Sequence, residues 1–266
     1  MNLLFDLDGT LVNTDSVYTE VWNLISKKYN FQKMILFQSV LGVEGGTHAR
    51  QLSIIKNNFN FNSDHFLIDV DFFNKFIKGK SDSSFLNNLL SLDDNLIKEI
   101  SSLKDDLFID LLKLNSNCTS ILLPGVINFF KKIEKGTTKI AIVTSCNKKA
   151  AEYIIKSTGL SPYIDLLIAS EDCVNHKPDP EPYLKAMSFL NDPAVVPRTT
   201  WSFLNSDTNN TIIFEDSYSG YMSAKQSGRL KIVLICNESS CQDIKNADEY
   251  KIKDYVNFDI NHFIIK

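Results

Sequence analysis

No apolar run in this sequence approaches the roughly 20 residues that a helix needs to cross a bilayer, so no membrane partner is expected. Basic residues are nowhere gathered into a patch. The 28 Lys and Arg are scattered among 32 Asp and Glu, for a formal net charge of −4, a balance that argues against a nucleic-acid partner. The five cysteines, Cys118, Cys146, Cys173, Cys236 and Cys241, form no CxxC and no framework spacing. Odd in number and dispersed, they are expected to be free thiols in a reducing compartment. The first strand-like run begins at Leu3, so no signal peptide is expected ahead of it. Internal repeats are also lacking. What is present, 44% hydrophobic and 23% charged residues, is ordinary for a soluble cytoplasmic protein. A chain of 266 residues fits one large or two unequal domains.

The hydrophobic pattern changes character along the chain. After the opening strand, Asp15 or Ser16 can cap a helix carrying Val17, Val21, Trp22, Leu24 and Ile25. Helical spacing recurs over Ser63 to Ile77 and over Asp94 to Leu114, and no strand interrupts residues 15 to 120. Pro124-Gly125 marks a break. Beyond it, helices at Val126 to Glu134, Asn147 to Ser157, Pro180 to Leu190 and Ser219 to Gln226 alternate with short apolar strands. The strands are Lys139 to Val143, Asp165 to Ala169, Thr211 to Phe214 and Lys231 to Cys236. Such alternation predicts an α/β fold, a Rossmann-like parallel sheet with helices on both faces. Residues 191 to 210, with Pro193, Pro197 and an Asn-rich end, read as an exposed loop.

The chemistry concentrates where strands end. The run Leu3-Leu4-Phe5 is cut off by Asp6 and Asp8, two carboxylates so close that one must be neutralised by a cation or hold a proton. Gly9 then permits a turn. Thr144 follows the strand Lys139 to Val143, and Glu215-Asp216 follow the strand Thr211 to Phe214. Ligands of parallel sheets gather beyond the carboxyl ends of strands, so these separate segments are predicted to meet at one edge.

The string Phe5 to Thr14, FDLDGTLVNT, resembles the first motif of the haloacid dehalogenase-like (HAD) phosphohydrolases, hhhDxDG[TV]. Ala141 to Thr144 is similar to the second motif, a strand followed by Ser or Thr. His176 to Pro180 resembles the third, KPxPxx(Y/F), and Phe214 to Gly220 the fourth, (V/F)xDSxxG. The resemblance covers nearly the whole chain and is nearest to the β-phosphoglucomutase-like phosphatases. It implies that Asp6 is the nucleophile, that Asp8 is the general acid and base, that Thr144 donates to a phosphoryl oxygen and that Lys177 offsets the charge gathered there. It also implies a Mg²⁺ site from Asp6, the Asp8 carbonyl and Asp216, with Glu215 reaching the ion through water or standing behind its ligands. Ser145 and Asn147 stand where they can add contacts to substrate.

The same resemblance makes residues 1–14 and 121–266 a catalytic core and residues 15–120 a helical cap inserted after the first strand. Leu41 to Arg50 is similar to a cap specificity loop, with His48 and Arg50 as candidate substrate contacts. Mutases of this type carry an arginine shortly after the loop glycine, a place that falls here on Gly45 or Gly46. The expected activity is therefore a Mg²⁺-dependent phosphatase acting on a small phosphorylated metabolite: a sugar phosphate, phosphoglycolate or nucleotide. A phosphomutase and a non-catalytic binding protein on the same fold are the alternatives.

Overall fold

The apolar strand runs read from the sequence assemble into one sheet in the computed structural model, which describes residues 1–29, 93–114, 121–133, 136–191, 211–228, 231–236 and 249–261. The sheet has six strands: β1 (Asn2–Phe5), β2 (Lys139–Val143), β3 (Leu166–Ile168), β4 (Thr211–Glu215), β5 (Ile232–Ile235) and β6 (Tyr250–Ile252). Their order is β3-β2-β1-β4-β5-β6, and every neighbouring pair is parallel. The two central neighbours of β1 are β2 and β4, so the chain reverses its winding direction there. Ligands of open α/β sheets bind at such a switch point.

Alternate side chains of these strands feed two different cores, as the two-residue period of a strand requires. On one face Leu4, Ala141, Val143, Ile168, Ile213, Ile232 and Leu234 pack with side chains of α5 (Glu181–Asn191) and α6 (Tyr218–Gln226). The other face is aromatic. Phe5 stacks on Phe214 with ring centroids 4.3 Å apart and meets Phe129 and Phe130 of α3 (Val126–Lys132) at 6.2 and 5.2 Å. Tyr255 and Phe258 close this cluster against Phe129, at 5.3 and 5.4 Å. A Cβ on Gly125, whose φ is 83°, would lie 2.5 Å from the Tyr255 backbone, so the C-terminal segment approaches α3 where only glycine fits. The helix α4 (Lys148–Ser157) is capped by Asn147, whose side chain accepts from the Ala150 amide at 2.8 Å, an ordinary N-cap.

The chain divides into two compact units, Met1–Thr14 with Ser116–Lys266, and Asp15–Asn115. In the second, α1 (Asp15–Tyr29) and α2 (Asp94–Leu114) are the described helices. Tyr18 stacks on Phe108 at 4.2 Å, and the Tyr29 hydroxyl donates to Glu99 at 2.6 Å. Asp93 caps α2 by accepting from the Asn95 and Leu96 amides, each at 3.0 Å. The helix read at Ser63 to Ile77 and the loop read at 191 to 210 lie outside the described residues.

Two expectations need correction. The sequence reading missed β6, a three-residue edge strand with no buried side chain, because a strand this short and exposed leaves no apolar run to detect. The cysteines are not all free. Cys146 and Cys173 are free thiols, but Cys236 is disulfide-bonded. Pairing depends on distance in the fold, which spacing along the chain does not give. No helix among the described residues is long and apolar enough to cross a membrane.

Candidate active site

Parallel register brings the chemistry-bearing residues together. Phe5 pairs with Ile142 on one side and Phe214 on the other, so Asp6 emerges between the ends of β2 and β4. Its amide still donates to the Phe214 carbonyl at 3.0 Å, which fixes its backbone as an extension of the strand. The chain then turns sharply. The Leu7 carbonyl accepts from the Leu11 and Val12 amides, and the Gly9 amide donates to Val12 at 2.7 Å. Gly9 has φ 88°, and a Cβ there would lie 1.9 Å from Asp216 Oδ2. Only glycine lets the turn close this tightly over the β4 carboxylate.

Three carboxylates converge below that turn. Asp6, Glu215 and Asp216 are 8%, 0% and 3% exposed and offer oxygens that all lie within 4.8 Å of one another. Lys177 reaches into them. Its ammonium donates to Asp6 Oδ1 at 2.7 Å, to Glu215 Oε1 at 2.6 Å and to the Val143 carbonyl at 2.9 Å. An ammonium has three N–H donors, so each is engaged. Burial pushes the Asp6 carboxyl well above its usual range; Lys177 opposes the rise, while Glu215 and Asp216 add to it. For Lys177 burial works against the charge, yet Asp6 and Glu215 outweigh it and raise the pKa above the usual lysine value. The ammonium therefore stays charged.

The loop that carries Lys177 is held from several directions. Glu181, buried at the start of α5, accepts from the Val174 and Asn175 amides, both at 2.9 Å. Asp179 caps α5 by accepting from the Glu181 amide at 2.8 Å. Ser223 of α6 donates to the Asp179 carbonyl at 2.6 Å. His176, beside the lysine, is exposed.

Of the other residues singled out in the sequence, Asp8, Thr144, Ser145 and Asn147 fall at or near the same edge. Asp8 accepts from the Thr14 hydroxyl at 2.5 Å, and its carboxylate is not one of the converging three. Thr144 is buried at the end of β2, where its hydroxyl oxygen accepts from the Cys146 amide at 3.0 Å. Ser145 is exposed, and Asn147 spends its side-chain oxygen on the cap of α4. His48 and Arg50 lie outside the described residues.

Sequence reasoning passed over several supporting residues. Tyr183 donates to Glu215 Oε1 at 2.5 Å, and its ring lies 5.0 Å from the Lys177 ammonium. Tyr255 donates to the Thr10 carbonyl at 3.1 Å, bracing the turn from the C-terminal segment. Burial pushes the pKa of both hydroxyls upward, with nearby carboxylates adding to the shift. Tyr183 had a signal in the aromatic position that ends KPxPxx(Y/F); Tyr255 had none.

A model of the haloacid dehalogenase-like hydrolase family matches residues 1–228. The chain is similar to a phosphorylated carbohydrates phosphatase of Thermotoga maritima, 25% identical over 230 residues that cover 85% of this chain and 81% of the relative. It is also similar to a validoxylamine A 7′-phosphate phosphatase of Streptomyces hygroscopicus subsp. limoneus, 24% identical over 225 residues that cover 85% and 81%. Among solved structures, a HAD hydrolase of family IA from Entamoeba histolytica superposes with a TM-score of 0.69. It is 20% identical, with 99% of this chain and 97% of that one covered.

Proposed function

Because the chain belongs to the haloacid dehalogenase-like hydrolase family, we propose that it is a Mg²⁺-dependent phosphatase of small phosphorylated sugars working through an aspartyl-phosphate. The observation that carries this reading is the Lys177 ammonium held 2.7 Å from Asp6 among carboxylates buried at the switch point of the sheet. Buried charges are costly to assemble, and neither packing nor helix capping calls for this cluster. The named activities of the carbohydrate-type relatives point to the substrate class.

A divalent cation suits the site. Three buried carboxylates and one ammonium leave an excess of negative charge, and hard oxygen donors are what Mg²⁺ takes. Asp6 and Asp216 would hold the ion, with the Asp8 carbonyl beside them and Glu215 reaching it through water or standing behind its ligands. Bound there, the ion would neutralise the carboxylates and the incoming phosphate. Lys177 opposes the rise in the Asp6 pKa and orients that carboxylate as the nucleophile. Attack on phosphorus forms the aspartyl-phosphate and splits one displacement into two steps. Asp8, oriented by Thr14, protonates the leaving oxygen and then takes a proton from the hydrolytic water. Thr144, Ser145 and Asn147 flank the phosphoryl position. Residues 15–120 serve as the cap that chooses the substrate, through His48 and Arg50.

A screen of phosphorylated sugars that measures released phosphate tests this reading. Release is expected with Mg²⁺ and is expected to stop in excess EDTA. Full turnover in EDTA, or isomerised sugar phosphate with no free phosphate, would contradict it.

A further inference from the structure

We infer that Tyr183 is a positioning residue whose hydroxyl holds Glu215 in place when Lys177 turns toward the phosphoryl group. The inference rests on the phosphatase reading and deepens it. In the structure all three ammonium donors are engaged, by Asp6, Glu215 and the Val143 carbonyl. To bond a phosphoryl oxygen, Lys177 must release one of them. The Val143 carbonyl is fixed in β2, and Asp6 is the nucleophile that the ammonium orients. Glu215 Oε1 is different, because it accepts from two donors at once, Lys177 at 2.6 Å and the Tyr183 hydroxyl at 2.5 Å. A carboxylate oxygen has room for both. If Lys177 leaves, Tyr183 still satisfies that oxygen.

The surroundings make such a second donor necessary. Glu215 is fully buried, and a buried carboxylate oxygen stripped of its partner is heavily penalised. Its other oxygen lies at the start of α6, 3.3 Å from the Asp216 amide and 3.4 Å from the Ser217 hydroxyl, both long contacts. The fit there is close. A Cβ on Gly220 would lie 2.0 Å from the Glu215 carboxylate, so Glu215 has little freedom to find another partner. Tyr183 is equally fixed, fully buried among Leu4, Val143 and Ile213. Its ring also flanks the ammonium at 5.0 Å, a distance at which the aromatic face attracts a cation.

Tyr183→Phe removes the hydroxyl and leaves the ring. Calorimetric titration of the full chain with inorganic phosphate, in saturating Mg²⁺, reads the consequence without any need to know the substrate. Phosphate should bind the variant about tenfold to 150-fold more weakly than the wild type, the worth of one charged hydrogen bond. In a Glu215→Gln background the same Tyr183→Phe change should alter binding less than about twofold, because no buried charge then depends on the hydroxyl. If wild-type protein binds no phosphate, the phosphatase reading itself fails. If wild type binds and Tyr183→Phe binds equally well, only the positioning role is overturned. An equal loss in both backgrounds would show that Tyr183 does not act through Glu215. A Tyr183→Phe chain that no longer melts cooperatively would also overturn the role, since a positioning hydroxyl leaves the fold standing.

Discussion

Asp6 and Asp8 are two residues apart and live in different surroundings, as the two different roles proposed for them require. Asp6 sits against Lys177 in a buried cluster, whereas Asp8 is half-buried and bonded to Thr14. Asp6→Asn should abolish phosphate release. Asp8→Asn should lower kcat by about a hundredfold to ten-thousandfold, the usual worth of general acid–base catalysis. With p-nitrophenyl phosphate, whose leaving group scarcely needs a proton, the Asp8 variant should form the covalent intermediate readily and hydrolyse it slowly. Burst kinetics on the two variants check both statements. Cys173 offers a separate test of the local electrostatics. Burial, with Glu181 adding to it, pushes this thiol up to about 11, so at pH 8 its thiolate should be about a hundredfold scarcer than in the unfolded chain. Iodoacetamide should label the Cys173 peptide far more slowly in native protein than in urea. A folded pKa raised above the unfolded one contributes stability that is complete below about pH 8.5 and is lost as pH rises through 11. The native protein should accordingly weaken over that alkaline window.

At the scale of elements, the site depends on two glycines that let a turn and a helix start approach carboxylates. Gly9→Ala would place a Cβ 1.9 Å from Asp216 Oδ2 at a φ of 88°, and Gly220→Ala would place one 2.0 Å from Glu215. Each should cost about 1–3 kcal/mol of stability through strain and overpacking, and each should depress Mg²⁺-dependent activity beyond what the melting curve explains. Activity and thermal melts on the same preparations separate the two effects. The elements that present these residues were largely legible in the sequence. Continuous apolar runs located β1, β2, β4 and β5, and polar residues at their ends marked the edge where Asp6, Thr144 and Glu215-Asp216 meet. The helix read at Asp94 to Leu114 has those same limits in the structure. Lys177 and the place of Tyr183 at the end of KPxPxx(Y/F) were legible, but the bond from Tyr183 to Glu215 was not. That Tyr183 on α5 reaches a carboxylate on β4 follows from how helix and sheet pack, and no spacing along the chain records it. Tyr255 is hidden for the same reason, 245 residues from the carbonyl it serves.

In the whole molecule, residues far apart in sequence share one edge of one sheet, and the two halves of the site come from the two ends of the chain. The C-terminal segment adds support from beyond residue 228, where the family match stops. Tyr255 packs its ring against Phe129 and bonds the Thr10 carbonyl in the turn after Asp6. Tyr255→Phe should keep the fold and lose about 1 kcal/mol from one buried hydrogen bond, with a raised Mg²⁺ requirement as the turn over Asp216 loosens. A Mg²⁺ titration of activity, set beside a urea melt, reads both. The most direct measurement of the central claim is to trap the covalent intermediate. Wild-type protein is quenched in acid during turnover of a sugar phosphate with Mg²⁺ and mapped by peptide mass spectrometry. The account predicts a phosphoryl group on the peptide containing Asp6, accumulating further in Asp8→Asn and absent in Asp6→Asn. Phosphate released with the label on another residue, or undiminished release by Asp6→Asn, would contradict it.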